Sequence, residues 1–293
     1  MKIIVTGGSG FLGSHLADKL TEAGHKVVIY DLKKSKWLKK NQKMIKGDIL
    51  DTKTLEKEIK NTDIIYHFAG LSDLEKALDK PIETINKNIL GTVNILELCK
   101  KYKVKRFIFA STIYVYSQEG GFYKSSKRAA EDYIEEYEKK YNIKYTILRF
   151  GSLYGPRSDN SNGLYKIVFE AIKNKKITYM GNKETKREYI HVEDAANSCV
   201  KILDKEFINK NVIISGNESM KVYDLMKMIS EILGITKKLK FVKTKLTGHY
   251  TFTPYSYSPK IGKKINQLLH VDFGQGIIQL IEEIKNKLNE EKD

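Results

Sequence analysis

An apolar run, Ile3-Ile4-Val5, meets a glycine-spaced turn, Thr6-Gly7-Gly8-Ser9-Gly10-Phe11-Leu12-Gly13. A helical stretch follows, with Leu12, Leu16 and Leu20 on one face and Gly24 as its stop. No other feature restricts the fold of this chain as strongly. Gly8, Gly10 and Gly13 satisfy G-x-G-x-x-G, and Gly7, Gly10 and Gly13 satisfy G-x-x-G-x-x-G. Glycine is needed there for the tight turn, for close approach of backbone to a pyrophosphate, and for helix–strand packing. The helix N-terminus beyond, around Phe11 and Leu12, then presents free N–H groups to an anion. Asp31 closes the second apolar run, 18 residues after Gly13. A carboxylate at that point binds both hydroxyls of an adenosine ribose and repels a 2′-phosphate. It favours NAD over NADP, while Lys33 and Lys34 pull the other way. Asp48 and Ile49 follow the third run and are expected to bracket the adenine; for Asp48 a solvated turn is the alternative.

Apolar runs and helical stretches continue to alternate. The runs are Val27–Tyr30, Ile64–Phe68, Arg106–Ala110 and Tyr145–Phe150; helices are expected over 13–23, 84–102 and 125–141. The runs are continuous rather than alternating in polarity, as parallel strands covered on both faces require. The fold class is therefore α/β, a Rossmann-type doubly wound parallel sheet. After Gly155-Pro156 the texture changes, with helices expected over 161–173, 193–204, 222–233 and 275–289. We expect a dinucleotide-binding domain over 1–152, with 187–204 returning to it, and a smaller substrate-binding region over 153–293. His191, inside a strand-like run, is expected to be a satisfied core group.

Net charge is +16, from 52 Lys+Arg against 36 Asp+Glu, which by itself admits nucleic acid, a membrane surface or an anionic substrate. Only five of those cations are Arg, however, and base readers rely on Arg. The excess lysine reads as solvated surface, and nucleic acid is not expected as a partner. No apolar run reaches the length of a membrane span. Met1-Lys2 leads straight into the first strand without signal-peptide pattern. Two cysteines, Cys99 and Cys199, suit neither a disulfide framework nor a cysteine metal site, and no metal is expected. A reducing, cytoplasmic setting follows from that composition.

Tyr123 and Lys127 lie four apart, one helical face. An ammonium beside a phenol lowers the phenol's pKa toward neutrality and equips it to exchange a proton with a sugar hydroxyl or ketone. Thr112, at a strand end, supplies a second hydroxyl. By itself Y-x-x-x-K carries little weight in a chain with 18 Tyr.

These motifs stand in a telling order. The glycine turn and Asp31 come first, then His67-Phe68-Ala69-Gly70, Asn88 with Gly91-Thr92 and Asn94, and Ser111-Thr112 before Val115-Tyr116. The Tyr123/Lys127 pair, Leu148-Arg149, Tyr154-Gly155-Pro156-Arg157 and Arg187-Glu188-Tyr189-Ile190-His191-Val192 follow. In this the chain resembles the extended short-chain dehydrogenases, in particular the NAD-dependent epimerase/dehydratase group that acts on nucleotide sugars. The resemblance implies Thr112, Tyr123 and Lys127 as catalytic residues. It implies a dinucleotide site of Gly7, Gly10, Gly13 and Asp31, with Phe68, Ala69 and Gly70 beneath the cofactor. Arg187 and Asn162 are expected at the diphosphate of a nucleotide-sugar substrate, with Arg149 and Arg157 also on the substrate side. Ser152 replaces the family's usual Asn before Val-Tyr-Gly-Pro, altering that contact. Where the 4,6-dehydratases carry Asp-Glu after the catalytic hydroxyl, this chain has Ile113-Tyr114, so water loss lacks its acid and base. The implied activity is epimerisation, at C4 of a UDP-hexose, with net NAD(P)-dependent oxidoreduction as the alternative. A non-catalytic dinucleotide-binding protein would not need the Thr112/Tyr123/Lys127 set. A homodimer through the helices near 84–102 and 125–141 is implied by analogy, and the loop around Tyr250–Tyr257 is expected to line the sugar or base pocket.

Overall fold

A computed structural model of the chain describes residues 1–235, 239–242, 263–264 and 270–290. Strands β1 (Lys2–Thr6), β2 (Lys26–Asp31), β3 (Gln42–Lys46), β4 (Ile64–His67), β5 (Arg106–Thr112) and β6 (Tyr145–Phe150) build most of one sheet. Helices α1 (Phe11–Glu22), α2 (Thr52–Ile59), α3 (Leu74–Asp79), α4 (Pro81–Ile85), α5 (Gly91–Tyr102) and α6 (Gly121–Tyr141) alternate with them. Past β6 come β7 (Ser152–Tyr154), α7 (Gly163–Asn174), β8 (Ile177–Met180), β9 (Lys186–His191), α8 (Val192–Lys201) and β10 (Lys210–Ile214). Then follow β11 (Ser219–Lys221), α9 (Val222–Ile232), β12 (Leu239–Val242), β13 (Lys263–Lys264) and α10 (Phe273–Glu290).

The main sheet is parallel, in the order β13-β10-β6-β5-β4-β1-β2-β3. Residues of opposite parity along each strand serve opposite layers, which explains the continuous apolar runs. Ile3 and Val5 of β1 join Leu16 and Leu20 of α1 and Cys199 of α8 in one core, while Ile4 joins Leu55 of α2, Leu96 of α5 and Ile134 of α6 in the other. The strand order reverses between β1 and β4, and a doubly wound sheet binds its ligand at the carboxyl ends beside such a switch.

The chain beyond Gly155 is not set apart from this sheet. Helix α8 packs on α1, and β10 pairs with β6, so more than residues 187–204 rejoins the first half. Strand β9 instead joins β7 and β11 in a separate small sheet. A third core, from α7, α9 and α10 around Tyr154, supports that sheet. Among the described residues no helix is long and apolar enough to cross a membrane.

The helix expected over 84–102 is broken. Asn86–Leu90 form a π-helical turn between α4 and α5. Such a turn inserts a residue into the helical repeat, so the residues before it face elsewhere than a period of 3.6 foretells.

Candidate active site

The carboxyl ends of β1, β2, β4 and β5 open into a cleft of about 390 Å³. It is lined by Gly7, Gly10, Phe11, Leu12 and Gly13, by Asp31, Asp48 and Ile49, by Phe68, Ala69 and Gly70, and by Thr112, Tyr123 and Lys127. Fourteen residues singled out from sequence as cofactor-binding or catalytic thus share one concavity.

The glycine loop is fixed by contact. Gly7 has φ +72° and donates its N–H to the Tyr30 carbonyl at 2.9 Å. A Cβ on Gly7 would sit 2.6 Å from the Ala69 nitrogen, and one on Gly13 2.2 Å from the Gly7 carbonyl oxygen. At Gly10 the one atom of the described residues that such a Cβ would meet is the Gly7 oxygen, at 3.2 Å. Two glycines therefore serve the close packing of the loop, while the third leaves backbone open to the cleft. Helix α1 begins with no side-chain cap and no acidic residue in its first turn, so its N–H groups remain for an anion. The Asp31 carboxylate accepts from Ser9 N and Lys33 N, each at 3.0 Å, which holds it on the rim. Asp48 accepts from Leu50 N at 3.0 Å, and its carbonyl receives the Tyr30 hydroxyl. A cradle of bare backbone, a helix start and a rim carboxylate fit the pyrophosphate and ribose of a dinucleotide.

Beneath Phe68–Gly70 runs a relay that sequence reasoning missed. His67 is fully buried, with Thr6 Oγ1 at 2.7 Å from Nδ1 and Thr92 Oγ1 at 3.0 Å from Nε2. Thr92 donates to the Asn88 carbonyl, and Thr6 Oγ1 receives Ala69 N–H. One proton per hydroxyl leaves one direction: Thr6 donates to Nδ1, and Nε2–H donates to Thr92. Burial, reinforced by the charge of Lys127, pushes His67 down to about 3, so the ring is neutral. The signals available were the two Thr at a strand end and one turn from Asn88, but their meeting is tertiary.

Thr112 ends β5, and its Oγ1 accepts from Tyr114 N at 3.2 Å. Tyr123 and Lys127 both project from the first turns of α6. The Tyr123 hydroxyl hydrogen-bonds Thr112, yet burial pushes the phenol up to about 12. The lowering expected from Lys127 is not delivered here, and the geometry says why. Lys127 Nζ donates to the Ala110 carbonyl at 2.9 Å over the Phe109 ring, and burial brings the lysine itself down to about 8 against the opposing pull of Glu131.

The rare arginines behave unlike the expectation of a diphosphate-facing set. Arg149 is 2% exposed and bonds Glu131 through Nη2 at 2.6 Å and Nε at 3.1 Å, with Nη1 on the Tyr116 hydroxyl. Glu131 in turn accepts from Ser111, so Arg149 braces the catalytic strand from behind. Arg157 pairs with Asp18 at 2.8 Å and lies over Trp37, tying the second half to α1. Asn162, expected at the diphosphate, caps α7: its Oδ1 accepts from Tyr165 N and its Nδ2 donates to the Leu153 carbonyl. Ser152 lies on β7 between Gly151 and Leu153, which do line the cleft. Arg187 is on β9 opposite Met220. Ser152, Asn162 and Arg187 are not among the residues lining the cleft. His191 is buried as expected but not satisfied: among the described residues neither ring nitrogen has a hydrogen-bond partner, and burial brings it down to about 4. Tyr250–Tyr257 lie outside the described residues.

Ser72 and Lys87 line the cleft without having been anticipated. Lys87 belongs to the π-helical turn, whose altered register hid its direction.

Comparison with known proteins agrees with this geometry. Residues 3–215 match the model of the NAD dependent epimerase/dehydratase family. A putative UDP-glucose 4-epimerase of Methanocaldococcus jannaschii is 27% identical, over 97% of this chain and 98% of its own length. A dTDP-D-glucose 4,6-dehydratase of Dictyostelium discoideum is 31% identical over 79% of this chain, which spans 62% of that longer protein. The crystal structure of a UDP-glucuronic acid 4-epimerase from Bacillus cereus, in complex with UDP-glucuronic acid and NAD, superposes with a TM-score of 0.85 at 26% identity, covering 98% of this chain and 100% of the other. With glycine loop, rim carboxylate and Thr112/Tyr123/Lys127 in one cleft, and the family model spanning the main sheet through β10, the chain belongs to the NAD dependent epimerase/dehydratase family.

Proposed function

We propose that the protein is an NAD-dependent nucleotide-sugar 4-epimerase acting on a UDP-hexose. The observation that carries the reading is the convergence of Thr112, Tyr123 and Lys127 on the same cleft as the glycine loop and Asp31. Asp31, held on the rim by Ser9 and Lys33, favours a free 2′-hydroxyl and hence NAD over NADP. Bound NAD would supply the acceptor and then the donor of a hydride at a sugar carbon. The chain's own part is proton handling and orientation. Thr112 hydrogen-bonds the sugar hydroxyl, and Tyr123, as the phenolate that the Lys127 ammonium offsets below about pH 8, takes its proton and becomes the phenol. Returning the proton on the inverted sugar restores Tyr123. Arg187 and the C-terminal wall are assigned to the substrate's diphosphate, which must stay anchored while the sugar turns. Dehydration is disfavoured because Ile113 and Tyr114 are buried and carry no carboxyl group after Thr112.

The reading includes a homodimer and a cytoplasmic setting. Ile82 and Ile85 of α4, Leu90 of the π-helical turn, and Tyr133 of α6 are exposed apolar groups on the helices expected to pair. Both cysteines are free and buried, which suits a reducing compartment.

Incubating the purified protein with UDP-glucose, UDP-N-acetylglucosamine or UDP-glucuronic acid, without added cofactor, tests the activity. The C4-inverted product of one of them supports it; turnover only with stoichiometric consumption of NAD(P) sinks it.

A further inference from the structure

Among the described residues lining the cleft, two carry cationic side chains, Lys87 and Lys127. Lys127 is committed to the Ala110 carbonyl. Lys87 is differently placed. Its Nζ holds Glu83 Oε1 at 3.1 Å with the side chain 27% exposed, while Glu83 Oε2 holds Lys80 at 3.3 Å. One carboxylate therefore serves two lysines through separate oxygens. Its release of Lys87 would leave it still paired with Lys80.

Lys87 also lies on the wall that touches the glycine loop. Its neighbour Asn88 accepts from Leu71 N at 2.7 Å and would meet a Cβ on Gly70 at 2.7 Å. The adjoining Ala69 nitrogen is the atom a Cβ on Gly7 would strike at 2.6 Å. The π-helical turn, Phe68–Gly70 and the glycine loop are thus successive layers. The loop offers N–H groups to a diphosphate but no full charge.

Resting on the NAD reading above, we propose that Lys87 is a movable counter-charge for the diphosphate of the bound dinucleotide, exchanging Glu83 for a phosphate oxygen when the cofactor enters. An exposed Lys–Glu pair is worth little, whereas a charge-assisted contact to phosphate inside a cleft is worth more, so the exchange runs downhill. The device suits an enzyme that must keep one NAD through two half-reactions.

Calorimetric titration of NAD into the nucleotide-stripped full chain is the test, with thermal melts confirming that each variant folds. Lys87→Gln should raise the Kd for NAD about tenfold, equivalent to ~1.4 kcal/mol, and Lys87→Arg should restore most of it. Glu83→Gln should act in the opposite sense and tighten NAD by about threefold, because Lys87 is no longer held back. Lys87→Gln should also flatten the salt dependence of binding. Unchanged NAD affinity in Lys87→Gln, weakening in Glu83→Gln, or a raised KM for UDP-sugar with NAD affinity intact would each overturn the inference alone. A wild-type chain that binds no NAD would bring down the functional reading with it.

Discussion

The two walls of the cleft are built by different means. The wall formed by the ends of β1, β2, β4 and β5 is mostly backbone: glycines that a Cβ would block, a free helix start and a strand end pressed against both. On the far side, where Phe150, Gly151 and Leu153 line the cleft, the polar side chains from Arg149 onward that the motifs single out are spent behind it. Asn162 caps a helix, Arg157 pairs with Asp18, and Arg149 is closed into a buried network with Glu131, Ser111 and Tyr116. A site made of backbone is specified by where glycine must stand. One made of side chains depends on which partner each group finds.

Substitutions separate the walls most sharply where chemistry is at stake. Tyr123→Phe should lower turnover by about 10²–10⁴-fold while the NAD content of the purified protein stays unchanged, because the ring remains and only the proton carrier goes. Retained activity would remove the phenol from the reaction. Arg149→Met comes next. It leaves Glu131 charged and unpaired in a fully buried place, and chemical denaturation should show a loss of about 3–5 kcal/mol. A loss below about 1 kcal/mol would mean that the pair is not the brace described.

Acid probes the backbone wall. His67 is held at about 3 when folded against about 6.5 when unfolded, so between those values the unfolded chain binds the extra proton. Its contribution to stability is complete above about pH 6.5 and is lost as pH falls toward 3. Stability should therefore drop on acidification, by up to ~1.4 kcal/mol per pH unit from this group, and His67→Gln should show a shallower slope. Equal slopes would mean that the ring is already protonated in the fold. The smallest effect belongs to the side-chain wall. Asn162→Ala should cost about 1 kcal/mol of stability through the lost cap, with KM for the UDP-sugar unchanged. A tenfold rise in KM without loss of stability would return Asn162 to the substrate.

What was legible in the sequence follows the same division. The glycine loop, Asp31 and the Tyr123/Lys127 pair could be read because each rests on spacing along one element: a strand-to-helix turn, a strand end, one helical face. The parallel sheet could be read because both parities of residues in β1 and β4 are apolar. Lys87 could not, since a π-helical turn shifts its face. The buried pairing of Arg149 and the capping role of Asn162 were not legible, because a motif gives the position of a residue and not its partner. Glu131 lies 18 residues from Arg149, and the Leu153 carbonyl nine from Asn162. His191 shows the converse: burial was legible, while the lack of a hydrogen-bond partner on either nitrogen among the described residues was not.

The central claim is that a hydride leaves a sugar carbon, remains inside the cleft and returns to the same carbon. UDP-galactose carrying deuterium at C4 tests it most directly, with the purified protein, no added cofactor, and product analysed by mass spectrometry. The account predicts UDP-glucose that keeps its deuterium at C4, with no lasting rise in reduced-nicotinamide absorbance. Deuterium lost to solvent, or one reduced nicotinamide accumulating per sugar consumed, would contradict it.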